Sequence, residues 1–197
     1  MVHLQDETEA VQEESFFRLL PFKKDLAITA WEQQFLPEHY GKKPRCTTLV
    51  LVGGSRQGKT MKGMSIFGET KTLKVRCEGC PKGVLPDLNA FTSGRHVAIL
   101  FDECRIDQIL TNREFFQSSV NPQQLSQSLC TQGSYEVWGY QTAMIVCTNH
   151  LPMTEQEGLS ASEADWMHTN MLKVTLEEGQ TWFHHSSLEP PEGSVSS

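Results

Sequence analysis

Eight consecutive residues carry the clearest chemistry in the chain: Gly53-Gly54-Ser55-Arg56-Gln57-Gly58-Lys59-Thr60. They fit the pattern G-x-x-x-x-G-K-T at every fixed position, with an apolar run before them and a helix-like stretch after them. Glycines let the main chain pass close to a bulky anion without a Cβ in the way. The N–H groups of such a loop, and the positive end of the helix that follows, face negative charge. Lys59 is placed to reach β- and γ-phosphates, and the Thr60 hydroxyl to help hold magnesium. The expected ligand is a nucleoside triphosphate, ATP with Mg2+, bound through Gly53, Gly54, Ser55, Arg56, Gln57, Gly58, Lys59 and Thr60.

Two further groups belong with this loop. Val97-Ala98-Ile99-Leu100-Phe101-Asp102-Glu103 is an apolar strand ending in paired carboxylates, 43 residues beyond Lys59. Asp102 is expected to bind the magnesium, through its water shell, and Glu103 to polarise an attacking water. Ala143–Asn149 is another apolar strand, ending in Thr148 and Asn149. Its terminal amide is expected between the other two groups, orienting water against the γ-phosphate. Asp-Glu or Thr-Asn after an apolar run also occurs at ordinary strand ends. The order and spacing of all three groups is what makes Lys59, Asp102, Glu103 and Asn149 the catalytic candidates and Thr60 and Asp102 the metal candidates.

These side chains need a frame. Thr47–Val52, Val97–Phe101 and Ala143–Thr148 read as buried strands, Leu73–Arg76 as a short one and Tyr135–Tyr140 as a half-exposed one. Helices are expected from the glycine loop to about Phe67 and around Asp107–Ser118. Near-continuous apolar runs separated by helices predict a largely parallel sheet covered on both faces, an α/β sandwich. Ahead of it, Ser15–Phe35 spaces Phe16, Leu19 and Leu20, then Leu26, Ala30 and Trp31, as two short helices separated by Pro21. The aromatic residues Phe16, Phe17, Phe22, Trp31 and Phe35 are expected in the core or a subunit interface. The organisation predicted is an acidic flexible N-terminus over 1–14, a helical lead-in over 15–45, a P-loop ATPase domain over 46–185 and a disordered tail over 186–197.

Composition sets the class. With 38% apolar and 21% charged residues, the 197-residue chain can bury a real core. No apolar run reaches the roughly 18 residues that cross a bilayer, and the acidic first 30 residues lack the layout of a secretory signal. A soluble, intracellular protein without a membrane partner is expected, nucleus or cytoplasm undecided. The formal charge of −7 hides a basic middle: from Lys42 to Arg113 there are 13 bases against 6 acids, a net of +7. Such a stretch suits a phosphate-rich ligand as well as a plain solvated surface. Cys46, Cys77, Cys80, Cys104, Cys130 and Cys147 read as reduced thiols. Cys77 and Cys80 have the spacing of a metal pair, but no second pair accompanies them, and His184-His185 is remote.

The three ordered motifs, within 97 residues from Gly53 to Asn149, resemble the superfamily 3 helicase domain, in particular the Rep proteins of small circular single-stranded DNA viruses and their relatives. The resemblance covers residues 46–175. It implies the strand order of an AAA+-like ATPase, homo-oligomeric rings, and ATP-driven movement along single-stranded DNA during replication. Residue by residue, Lys59 and Thr60 match the Walker A positions, Asp102 and Glu103 match Walker B, and Asn149 matches the motif C asparagine. The chain departs from the pattern in three places. It has no His-x-His nicking signature, and Tyr40-Gly41-Lys42-Lys43 lies too close to the loop to replace one, so no nicking is expected. Gln132 stands near the position of the family's DNA-contacting lysine, where Trp138 and Tyr140 flank the loop as base-stacking candidates or, preferably, one face of a packed strand. No arginine follows Arg113, so the family's arginine finger has no match and Lys173 is the only strong cation near its place.

Three functions therefore compete. The first is a single-stranded-DNA-dependent ATPase ring. The second is a diverged nucleotide-binding interaction protein with little or no hydrolysis. The third, a small-molecule kinase, lacks the arginine-rich lid that clamps a transferred phosphoryl group.

Overall fold

Five or six consecutive residues can be buried on both sides only in a sheet that is itself covered on both faces. Three central segments meet that condition: β1 (Thr48–Val52), β3 (Ala98–Asp102) and β6 (Ala143–Thr148) are buried throughout, except for the half-buried Asp102. In this computed structural model, described at residues 22, 24–39, 42, 44–128, 131–177 and 180–182, they form the middle of a five-stranded sheet. The edges are β2 (Thr72–Arg76) and β7 (Met171–Thr175), whose burial is partial. The order is β2-β3-β6-β1-β7, and every neighbouring pair is parallel.

Alternate residues of each strand serve opposite faces. Val50, Ile99, Phe101, Met144 and Val146 face one core, which is closed by Ile109 of α3 (Ile106–Thr111), Phe115 and Phe116 of α4 (Arg113–Phe116), and Met167 of α5 (Ala161–Asn170). Leu49, Leu51, Leu100, Ile145 and Cys147 face the other, closed by Ile28 and Trp31 of α1 (Leu26–Glu32), Met64 of α2 (Lys59–Phe67) and Trp182. The result is a three-layer α/β sandwich. Because β1, β3 and β6 run parallel, the loops that leave them emerge at one end of the sheet, where open α/β sheets bind ligands.

Helix α2 lies against the sheet through Gly63. A Cβ on Gly63 would stand 2.5 Å from Leu100 Cδ1 and 3.3 Å from Ile145 Cγ2, both side chains being fully buried. Alanine is the better helix former by about 1 kcal/mol, yet overpacking a closed core costs about 1–3 kcal/mol. Gly63→Ala is therefore expected to lower stability by about 1 kcal/mol, read from the urea midpoint; a gain in stability would contradict this packing.

Several elements differ from expectation for physical reasons. The helix expected over Asp107–Ser118 is two helices, α3 and α4, because Asn112 leaves helical geometry (φ −114°, ψ 38°). Its Nδ2 donates to Gly83 O at 2.9 Å and Gln108 O at 2.7 Å. The strand expected over Tyr135–Tyr140 ends at Val137, as β5 (Thr131–Val137) of an antiparallel hairpin with β4 (Gln123–Ser128). Trp138 is consequently not on a packed strand face but 56% exposed. Neither β4, α5 nor β7 was anticipated. In the lead-in, α1 is N-capped by Asp25, whose Oδ1 accepts from Ala27 and Ile28 N–H at 2.9 and 3.0 Å. Trp31 and Phe35 join the core, with Phe22 packed against it. Phe16, Phe17, Leu19, Leu20, Tyr40, Cys130, His184 and His185, and the segments 1–14 and 186–197, lie outside the described residues, as does the side chain of Gln132. Among the described residues no helix is long and apolar enough to cross a membrane.

Candidate functional site

The glycine loop leaves the end of β1 and turns into α2 through two left-handed residues, Arg56 (φ 62°) and Gly58 (φ 85°). Glycine adopts this conformation without cost at position 58, whereas Arg56 is strained. The first N–H groups of α2 have no intrahelical acceptor. Ser55, Arg56, Gly58, Lys59, Thr60 and Met61 form one side of a pocket of about 330 Å³, and Asp102 and Glu103 the other. Glu103 is a second non-glycine residue with positive φ (56°), and it is exposed at the pocket. Two strained residues facing one cavity indicate a site that the surrounding fold holds in place.

The three motifs meet here through direct bonds. Lys59, only 7% exposed, donates from Nζ to Gly53 O at 2.8 Å, Gly54 O at 2.7 Å and Asn149 Oδ1 at 2.9 Å. One ammonium thus ties the loop after β1 to the end of β6. Thr60 Oγ1 donates to Asp102 Oδ1 at 2.9 Å, which ties the first turn of α2 to the end of β3. Gly53 N–H completes the junction by donating to Thr148 O at 3.3 Å. All the catalytic and metal candidates of the sequence therefore lie at one end of the sheet.

The separation of the Thr60 and Asp102 oxygens also tests whether a cation fits. Adjacent ligands of an octahedral magnesium, at about 2.0–2.1 Å from the metal, are about 2.9 Å apart. Both oxygens can therefore share one ion's coordination shell, directly or with water in place of one of them. Among the described residues no three His, Cys, Asp or Glu side chains converge on a metal position. A magnesium held mainly by water and ligand phosphates needs only one or two protein oxygens. The Cys77–Cys80 pair has a different setting: Cys77 is fully buried and its N–H donates to Asp102 O at 2.8 Å, while Cys80 N–H closes the turn onto Cys77 O.

The chain matches no protein-family model and no curated protein sequence.

Three contributors to the site were not foreseen. Lys74, on the edge strand β2, brings Nζ to 3.9 Å from Asp102 Oδ2; with half its side chain exposed, the pair is weak. Its signal was the alternation in Thr72-Leu73-Lys74-Val75-Arg76, which sends Lys74 and Arg76 to the exposed face. Cys147 pairs in register with Asp102, and burial, then that carboxylate, pushes its thiol pKa far above the usual range, so it remains a neutral packing group. The third is the chain at Leu176, Glu177 and Trp182, which braces the loop from behind. Gln57 Nε2 donates to Glu177 O at 2.8 Å, Trp182 N–H donates to Gln57 O at 3.1 Å, and Gln57 itself is 91% buried, being 9% exposed. Gly53 leaves room for this amide, since a Cβ there would stand 2.3 Å from Gln57 Oε1. Lys173, the candidate for a missing arginine, instead donates to Leu151 O of its own chain at 3.0 Å.

Proposed function

We propose that the chain is a P-loop ATPase of the superfamily 3 helicase type, binding ATP with Mg2+ and acting on single-stranded DNA as a homo-oligomeric ring. The observation that carries this reading is the bond from Lys59 Nζ to Asn149 Oδ1, which puts the first and third motifs in contact beside the Thr60–Asp102 pair. The sheet order supports it too: β6, bearing Asn149, lies between β1, bearing the loop, and β3, bearing Asp102 and Glu103. That insertion agrees with the AAA+-like order the resemblance implies. In this reading the loop N–H groups and Lys59 hold the phosphates, and Thr60 and Asp102 hold magnesium, whose charge offsets that of the phosphate oxygens. Glu103 accepts a proton from the attacking water, and Asn149 orients that water.

The test is steady-state ATP hydrolysis with and without single-stranded DNA, beside Glu103→Gln. Glu103→Gln should retain ATP binding and lose about 100-fold or more in turnover, the scale of a positioned general base. Equal turnover in parent and variant would remove Glu103 from the chemistry.

A second reading, a nucleotide-binding protein with little hydrolysis, is favoured by one observation. Lys173, the only strong cation near the position of the family's finger, is engaged within its own chain. Tight ATP binding without multiple turnover would select this reading.

A further inference from the structure

A second cavity of about 320 Å³ shares no lining residue with the first; its walls include Asn89, Phe91, Ser93, Tyr135, Glu136 and Trp138. These residues belong to the segments that lead into β3 and β6, whereas the nucleotide-site loops leave the other ends of those strands. Its aromatic walls are held. Phe91 is backed by the stacked ring of His96 (centroids 5.8 Å apart, 30° between planes). Trp138 is backed by Tyr140 (5.9 Å, 16°), and its indole N–H donates to Val120 O at 2.9 Å, although the residue is 56% exposed. The Tyr135 hydroxyl donates to Asp87 Oδ1 and accepts from Leu88 N–H, both at 2.6 Å. An exposed tryptophan fixed in one plane beside two other aromatic rings is a prepared surface rather than a stray apolar residue.

The charge around the cavity decides what it suits. Glu136 lines it, and Asp87 sits behind Tyr135. The hydrogen bonds from Tyr135 and from Asn89 hold the Asp87 carboxyl below its usual range, so it is ionised at neutral pH. Burial, then Asp87, pushes the Tyr135 phenol up to about 12, so it stays a neutral donor. Arg95 of the same loop does not line the cavity, and burial, then Arg95, holds the His96 imidazole below its usual range, so it adds no positive charge at neutral pH. Aromatic faces with carboxylates attract a cation and repel a phosphodiester. Among cations, a guanidinium stacks flat on an indole and pairs with a carboxylate in the same plane, which a compact ammonium cannot do.

We propose that this cavity receives an arginine side chain presented by a protein partner. The test uses the full chain, with the Trp138 indole N–H followed by NMR titration and assigned through Trp138→Phe. The probes are a capped glycine-serine peptide with one arginine, the same peptide with neutral citrulline in its place, and a thymidine oligonucleotide. The arginine peptide should shift the signal saturably with Kd on the order of 1 mM, citrulline should not, and Glu136→Gln should weaken binding at least ~5-fold. The thermal midpoint of Glu136→Gln, measured alongside, should match the parent. No saturable shift up to ~20 mM peptide, or equal binding of citrulline, or no effect of Glu136→Gln in a folded protein, would overturn the proposal. A saturable shift of the Trp138 indole by the oligonucleotide at lower concentration than by the arginine peptide would overturn it in favour of a base-stacking platform, whereas oligonucleotide binding that leaves this signal in place belongs to the DNA site of the proposed function.

Discussion

Lys59→Ala is expected to weaken ATP·Mg2+ binding by about 100-fold or more and to remove hydrolysis. The buried ammonium bonds Gly53 O, Gly54 O and Asn149 Oδ1. Hydrogen bonds to a charged group contribute about 1.5–3 kcal/mol each. Among the described residues, Lys59 and Arg56 are the only lysine or arginine on the wall of the pocket. Alanine removes both the phosphate partner and the link between the loop and β6. Stability should change less, because Gly54 and Asn149 are exposed and water can replace the lost donor there, which leaves Gly53 O as the buried acceptor that loses it. The measurements are calorimetric ATP affinity and a thermal midpoint. A folded Lys59→Ala protein with parental affinity would mean that ATP binds elsewhere, and both readings of the function would fail together. Parental affinity lost in the variant, with no turnover in either protein, would retain the nucleotide site and discard the motor.

Some of this architecture was legible because burial leaves a strong mark on sequence. Residues 48–52, 98–101 and 143–148 are apolar or small with little interruption, since the strands they form are covered on both faces. The glycine loop was legible from local geometry alone, as Gly58 needs its positive φ. The edges left weaker marks. In β7 only Met171 is fully buried, so Met171-Leu172-Lys173-Val174-Thr175 reads neither as alternating nor as continuously apolar. Helix α5 buries only Ala164 and Met167, which is too thin an apolar stripe to identify. Its start does carry a local signal: Ser160 and Glu163 form a capping box, with Ser160 Oγ donating to Glu163 Oε2 at 2.7 Å. In β4, Gln123-Gln124-Leu125-Ser126-Gln127-Ser128 has one apolar residue, and only pairing with β5 makes it a strand. The site residues Asp102, Glu103 and Asn149 follow from order and spacing; the alternation in 72–76 exposes Lys74 without saying what it meets, and its approach to Asp102, like the brace from Glu177 and Trp182, depends on contacts between distant parts of the chain.

That brace gives the second large effect. Trp182→Ala is expected to lower stability by about 3–5 kcal/mol and to weaken ATP binding about tenfold, through a residue that does not line the pocket. Trp182 is 2% exposed in the core shared with Trp31, Leu49, Leu51 and Met64. Its ring lies 5.8 Å from Lys62 Nζ, which sits 5.7 Å from Phe22 on another side. Burial lowers the Lys62 pKa, opposed by the carboxylates of Glu32 and Asp25, so the cation is partly desolvated where such ring contacts are strongest. Removing the indole leaves a cavity and loosens Glu177 and residues 180–182 from the core. Gln57 then loses its support from Trp182 N–H and Glu177 O, and the loop must be ordered at the expense of nucleotide binding. Trp182→Phe separates packing from hydrogen bonding. The buried indole Nε1 has no partner among the described residues, so phenylalanine forfeits no bond there and should recover most of both losses. Urea midpoints and ATP affinities for the two variants decide the matter. If Trp182→Ala loses stability but binds ATP as the parent does, the segment only fills the core. If both fall together and Trp182→Phe restores both, the C-terminal segment sets the conformation of the glycine loop.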